Sequence, residues 1–383
     1  MAPKRILFLA TGLHAGGAEF VLLRLLSRLD RERFAPSVIS LIEPGPVAEK
    51  ICQLGISVRS LGMRPGQLSP VSLLRLVSWL RRDPPEVIQT WMYHADLLGG
   101  VAARLAGHIP TSWGIHHSDP LAHGYGPFTA LTVKLCARLS HWIPKQIVCS
   151  SEASRRAHVD FGYAADKMIV IPSGVDLAAL KPDPAARRLT RQALSIPSEA
   201  PVIGLVGRFH PQKDHQNFVR AAKLLVSTRS SVHFVLCGEG VTWDNEELTT
   251  WIDKAGIRAS CRLLGRREDI PQLMASFDLA TLSSCFGESF PNVIIEAMSC
   301  GVPCVVTDVG DSAYIVGSTG VAVPPRNPEA LAGAWEHMLA LGREQLAQGR
   351  VAARQRIKDH FDLPQNVDRY QALFEEMSAT SIA

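Results

Sequence analysis

Two glutamates and two cations carry most of the chemistry this sequence offers. Glu288 and Glu296 lie in Phe286-Gly-Glu-Ser-Phe-Pro-Asn-Val-Ile-Ile-Glu-Ala-Met-Ser-Cys-Gly-Val-Pro-Cys304. The apolar run 279–282 ahead of it reads as a buried strand. Residues 283–292 read as a loop, 293–299 as a short buried helix and 304–307 as the next strand. Pro291 suits the first helical turn, where a missing N–H costs nothing. Ser289 is a candidate N-cap, and Gly301 can close the helix in the left-handed conformation. Glu288 then precedes the helix and Glu296 lies about two turns into it. Free N–H groups and positive potential at a helix N-terminus suit a phosphate.

The cations are Arg208 and Lys213, in Gly207-Arg-Phe-His-Pro-Gln-Lys-Asp214. They fall in a loop after a strand, where a planar fork and a point charge together suit a diphosphate. Two histidine-bearing stretches also follow strands: Trp91-Met-Tyr-His94 and Gly114-Ile-His116-His117-Ser-Asp119. The plainer alternatives stay open at this level. Any of these groups could be a solvated loop residue, and Glu296 could pair with a polar group in the core.

The surrounding pattern says what must position these residues. Strands over 6–10, 36–42, 57–61, 87–91, 111–115, 146–150 and 168–171 are expected in the first half. Helices over 18–29, 47–54, 71–82, 95–106 and 129–142 alternate with the earlier ones. A Gly-rich turn with Gly12, Gly16 and Gly17 follows the first strand, without the spacing of a dinucleotide fingerprint. Residues 182–201 are rich in Pro, Ala and Arg and read as a linker. The pattern then restarts, with strands at 202–207 and 232–237 and a helix at 214–227. Helices at 328–341, 343–357 and 365–377 close the chain. Such alternation implies an α/β fold with parallel sheets, whose ligands sit at the carboxyl ends of strands.

Composition narrows the class. The 383 residues suffice for two domains, and 46% apolar with 20% charged residues is ordinary globular usage. A net charge of +4 with no basic block argues against nucleic acid as a partner. Eight scattered cysteines without a Cys-x-x-Cys pair imply a reducing, cytoplasmic setting, and neither a signal peptide nor a membrane-spanning run is read. The sequence lacks an Asp-x-Asp pair, so no metal site is expected. Helices 71–82 and 129–142 mix apolar and basic residues. They fit core-facing helices or, on a sharper reading, peripheral contact with an anionic membrane.

The string from Phe286 to Cys304 resembles the Glu-x7-Glu motif of the retaining glycosyltransferases of family 4, and the likeness runs through most of the chain. It implies a GT-B architecture, two facing Rossmann-like domains with a deep interdomain cleft. An acceptor-side domain would span 1–180, with a C-terminal helix at about 365–383 packing back on it. A nucleotide-sugar domain would span 195–362. By the same resemblance Arg208 and Lys213 bind the donor diphosphate, Glu288 the donor sugar and Glu296 the ribose. Ser289, Phe290, Pro291 and Asn292 contribute to the donor site, and Arg266, in Leu263-Leu-Gly-Arg-Arg267, belongs to the base-binding loop. Gly16 and Gly17 belong to a loop that holds the acceptor or a donor phosphate, and His116 is assigned to that same acceptor or phosphate side. The family's donor-contacting histidine matches His116 or His117, with His117 favoured. Asp311 departs from the family pattern, which has a second glycine there.

The implied activity is metal-independent, retaining hexosyl transfer from a UDP- or GDP-linked sugar, without a cofactor. The acceptor would be a glycan or lipid-linked, in polysaccharide or cell-envelope glycan synthesis, in the cytoplasm or on the inner membrane face. An epimerase or a phosphorylase of the same fold remains open, as does a non-catalytic sugar-binding protein.

Overall fold

The structure is a computed structural model that describes residues 2–14, 16–67, 69–120 and 126–379. It divides into two compact units, Met1–Gly174 with Leu363–Ala383, and Val175–Asp362. The first unit opens with β1 (Lys4–Ala10), α1 (Gly17–Arg28), β2 (Phe34–Ile42), α2 (Pro46–Gln53) and β3 (Val58–Met63). It continues through α3 (Pro70–Arg82), β4 (Val87–Trp91), α4 (Tyr93–Leu105), β5 (Thr111–Ile115) and α5 (Pro127–Leu139). β6 (Gln146–Cys149), α6 (Glu152–Phe161) and β7 (Met168–Val170) complete its sheet.

All seven strands pair in parallel, in the order β3-β2-β1-β4-β5-β6-β7. β4 and β5 are buried along their whole length, as expected of a sheet covered on both faces.

The second unit carries α7 (Pro184–Ala193), β8 (Val202–Val206), α8 (His215–Thr228), β9 (His233–Cys237), α9 (Glu246–Ala255) and β10 (Cys261–Leu263). It continues with α10 (Ile270–Ala275), β11 (Leu279–Leu282), α11 (Asn292–Ser299), β12 (Cys304–Thr307), α12 (Ser312–Val316) and β13 (Val321–Val323). α13 (Pro328–Ala340) and α14 (Arg343–His360) follow. Its parallel sheet runs β10-β9-β8-β11-β12-β13. One face is covered by α8, α9 and α13, around Phe218, Phe234 and Trp335. The other face is covered by α10, α11 and α14.

The last helix, α15 (Leu363–Ala379), lies in the first unit. Its Phe374 meets Phe8 and Phe34 edge-on, and Tyr370 stacks near Trp91. Of the expected helix at about 365–383, residues 380–383 lie outside the described residues, as does Ala15 of the Gly-rich turn.

Some expectations need correction. The segment read as a linker holds α7, capped by Asp183, whose carboxylate accepts the Ala186 N–H. Arg187 and Arg191, one turn apart on α7, both bind the Asp278 carboxylate at 2.6 Å, and Arg350 of α14 joins them at 3.0 Å. Ser289 does not cap α11: the helix begins at Asn292, Pro291 stands just before it, and no side chain caps it.

In each sheet the strand order reverses once, between β1 and β4 and between β8 and β11. Ligands of open α/β sheets bind at the carboxyl ends of strands at such switch points. The turns and helix starts after these four strands hold Gly16 and Gly17, Met92–His94, Arg208 with Lys213, and Glu288.

Candidate active site

In the second unit the loop after β8 is fixed by backbone bonds to the β9 turn: Gly207 N to Cys237 O at 2.8 Å and Phe209 N to Glu239 O at 2.7 Å. The approach is so close that a Cβ on Gly238, whose φ is +155°, would lie 2.1 Å from the Gly207 carbonyl. Only glycine fits there. A single 3-10 turn, Pro211–Lys213, then delivers Lys213. Asp214 caps α8 from the left-handed region, at φ +47°, with its carboxylate accepting the Asn217 N–H.

The loop after β11 is strapped to that turn. The Ser283 hydroxyl donates to the Lys213 carbonyl at 2.6 Å, and Cys285 N donates to Gln212 O at 2.9 Å. These straps bring Lys213 and Glu288, distant in sequence, into an ion pair, with Nζ donating to Oε1 at 2.5 Å. The Ser284 hydroxyl donates to the same carboxylate oxygen at 2.6 Å. Glu288 is buried and Lys213 nearly so. A lysine ammonium has three donors, so Lys213 can hold Glu288 and still offer hydrogens to a phosphate.

Behind Glu288, the 307–311 loop presses against its backbone. Asp311 N donates to Ser289 O at 3.0 Å. A Cβ on Gly310, at φ +63°, would lie 2.2 Å from the Glu288 carbonyl. Gly310 meets the need for a glycine in this loop, and Asp311 leads into α12.

α11 buries Ile294, Ile295, Ala297 and Met298 and leaves Asn292, Val293 and Glu296 half-buried on its remaining face. It ends as expected, in a paired closure. Gly301 at φ +71° donates to Met298 O, and Val302 N donates to Ala297 O. Phe290 packs under the helix start against Phe361, at 5.3 Å.

The expected second-unit residues therefore do not all serve alike. Lys213 and Glu288 are in contact, whereas Arg208 is exposed in the same loop. Arg266 is exposed after β10, beside Arg267, which forks onto Asp269. Ser289, Phe290 and Pro291 are buried at the start of α11. Nothing in the sequence marks Ser284. Its role depends on the loop fold, and serine at that spacing is no signal.

In the first unit, Gly16 precedes α1 in extended conformation and Gly17 opens it. A Cβ on Gly16 would lie 2.3 Å from a Glu19 carboxylate oxygen. Met92 after β4 holds φ at +77°, which for a non-glycine residue is strained. His116 stacks on Trp91 with ring centroids 4.0 Å apart. Burial pushes its pKa down to about 3, so it stays neutral, and its Nε2 is buried without a partner.

His117 is half-buried. Its Nδ1 lies 3.2 Å from the Asp119 N–H, and its carbonyl accepts from the Ser154 hydroxyl at 2.7 Å. Nearby, Asp96 is fully buried, taking the Thr90 hydroxyl at 2.5 Å and the Gly114 N–H at 3.2 Å. Burial lifts its pKa to about 7 against the pull of those two bonds.

Among the described residues no group of three or more His, Cys, Asp or Glu side chains could hold a metal, and no helix is long and apolar enough to cross a membrane.

Comparison with known proteins accounts for both units. Residues 15–179 match the family model Glycosyltransferase Family 4, and residues 200–340 match Glycosyl transferases group 1. EpsF of Bacillus subtilis, assigned as a glycosyltransferase, is 26% identical over 316 residues, covering 80% of each chain. A UDP-Gal:α-D-GlcNAc-diphosphoundecaprenol α-1,3-galactosyltransferase of Escherichia coli is 28% identical over 256 residues, 64% of this chain and 63% of that one. The chain thus spans somewhat under two thirds of that enzyme's length. The crystal structure of Anabaena HepE in complex with UDP superposes with a TM-score of 0.86 at 26% identity, covering 97% of this chain and all of that one.

Proposed function

The chain belongs to the glycosyltransferases of family 4, with the GT-B fold, and on that premise we propose that it moves a hexosyl unit, with retention and without a metal, from a UDP-linked sugar to a lipid-linked or glycan acceptor. The observation that carries the reading is the Lys213–Glu288 pair, set at the switch point with Arg208 in the same loop. Transfer leaves a nucleoside diphosphate, whose negative charge grows in the transition state. Arg208 and Lys213 supply fixed positive charge there, the kind of contribution that is often the largest. Glu288 faces the donor sugar, takes its hydroxyls and stabilises positive charge on the ring. Glu296 takes the ribose hydroxyls, and Arg266 belongs to the base loop. Ser289, Phe290, Pro291 and Asn292 shape the donor site through the start of α11. In the first unit, His117 contacts the donor sugar, while Gly16 and Gly17 allow close approach of the acceptor or a phosphate.

UDP is favoured over GDP because the HepE structures hold UDP and UDP-glucose. A lipid-linked acceptor is supported by the E. coli relative, whose own acceptor is diphosphoundecaprenol-linked. α5 exposes Phe128, Leu131 and Leu135 with Lys134 and Arg138, and Trp142 just beyond it is exposed too. That combination suits an anionic bilayer surface. α3 adds exposed Val71 and Leu74.

Thermal shift with UDP, GDP and their sugars tests the donor. UDP at 100 times its Kd should add about 2.7 kcal/mol, and Arg208→Ala should remove most of that gain. No response to any nucleotide would overturn the reading. Co-sedimentation with phosphatidylglycerol liposomes tests the surface, and Leu131→Ser with Trp142→Ser should abolish it.

A further inference from the structure

The second unit contains a pocket of about 450 Å³ lined by none of the residues assigned to the donor. It lies between the first turn of α8, the exposed side of α9 and residues 285–286. Its size falls in the range of small-ligand sites, about 300–1,000 Å³. His215 and Asn217 line it at 2% and 4% exposure. Both imidazole nitrogens and both amide heteroatoms lack a hydrogen-bond partner. Buried polar side chains are nearly always satisfied, so these four atoms, themselves sealed from solvent, call for a partner that they reach by turning toward the pocket.

The lining says what that is. An anion is disfavoured. The Asp214 carboxylate already occupies the α8 N-terminus, and Glu247 stands opposite, so Arg220 and Arg326 are balanced. Burial, with Lys213 nearby, pushes the His215 pKa down to about 4, leaving a neutral ring with one donor and one acceptor. What remains is aromatic and neutral-polar. Phe209 lies 5.8 Å from Trp251 and 5.3 Å from His215, and Phe286 joins them at the pocket. Flat rings suit the C–H face of a pyranose. An amide and a neutral imidazole suit its hydroxyls.

We propose that this pocket binds an uncharged saccharide ring, separate from the donor sugar, as a second hold on a glycan chain. The glycan role rests on the transferase reading; saccharide binding itself does not. The pocket also borders the two loops that form the Lys213–Glu288 pair, so its occupant sits beside the reacting centre's framework.

The test uses the full chain. Saturation-transfer-difference NMR is run with maltotriose, cellotriose and N-acetyllactosamine, backed by an array of neutral glycans, and UDP binding is measured separately. At least one neutral saccharide should bind. Asn217→Ala and Trp251→Ala should each weaken it at least tenfold while UDP affinity stays unchanged. Should Trp251→Ala fail to fold, Trp251→Leu, which keeps apolar bulk and removes the flat ring, takes its place with the same expected loss. Absence of any neutral-saccharide binding would overturn the proposal, as would binding indifferent to these variants or displaced by UDP. Loss of UDP binding by the parent protein would instead count against the donor site.

Discussion

Replacing Lys213 by alanine should cost both stability and turnover, and the two losses separate. The Lys213 and Glu288 side chains are only 18% and 9% exposed, at a separation of 2.5 Å. Removing one partner of a buried pair typically costs about 3–5 kcal/mol, because the other charge stays buried. Surface pairs are worth about 0–1 kcal/mol. Residual exposure and the Ser284 hydroxyl, which stays on Glu288, place Lys213→Ala at about 3 kcal/mol. For a unit of this size that is a drop in Tm of about 6–12 °C. Glu288→Gln in the same background removes the stranded charge, so the double variant should be more stable than Lys213→Ala alone. The assay is urea unfolding of the four proteins as a double-mutant cycle, with kcat in parallel. Turnover of Lys213→Ala should fall roughly 10²–10³-fold, as for loss of an oxyanion-hole donor. Additivity of the single variants within about 0.5 kcal/mol would refute the coupling.

Other consequences can be checked directly. Glu296→Gln should raise KM for the donor by a cost of about 1.5–3 kcal/mol with kcat nearly kept, since the ribose lies away from the reacting bond; steady-state kinetics would show a kcat collapse if the role were wrong. Asp96 has its pKa raised to about 7, so the folded state holds a proton that the unfolded state loses near 3.8. Stability from this group is therefore present at low pH and lost as pH rises from about 4 to 7, by at most about 1.4 kcal/mol per unit. Asp96→Asn should remove that slope in denaturation measured from pH 4 to 8. If Arg208 and Lys213 carry the charge proposed for them, turnover should survive EDTA; recovery only on adding Mg²⁺ or Mn²⁺ would contradict this.

Much of the fold was legible because apolar runs alternate with helical periods. β4, β5, β11 and β12 have the limits the sequence implies. α11 was legible to its end, since Gly301 is the residue its closure requires. Its start was not: a proline and a serine near a helix start do not say which, if either, caps it. Residues 182–201 misled for a related reason. Proline and alanine suggest a linker, whereas the Arg187–Arg191 spacing is that of one helical turn. Its meaning depends on Asp278, far along the chain. α9, α12 and β13 were missed because short, polar or weakly periodic segments form only against neighbours already in place. At the site, motif strings pointed to the residues but not to their partners. That Lys213 holds Glu288 follows from the straps at Ser283 and Cys285, which no local spacing encodes.

The central claim is transfer from a nucleotide sugar with retention at the site built around Lys213 and Glu288. Proton NMR of slow donor hydrolysis, with water as acceptor, tests it without knowing the natural acceptor. Incubated with UDP-α-glucose and UDP-α-galactose in EDTA, the enzyme should release UDP and free α-hexose first, the β anomer appearing only as mutarotation proceeds. Glu288→Gln and Arg208→Ala should abolish that release. Initial appearance of the β anomer, or release that persists in both variants, would contradict the account.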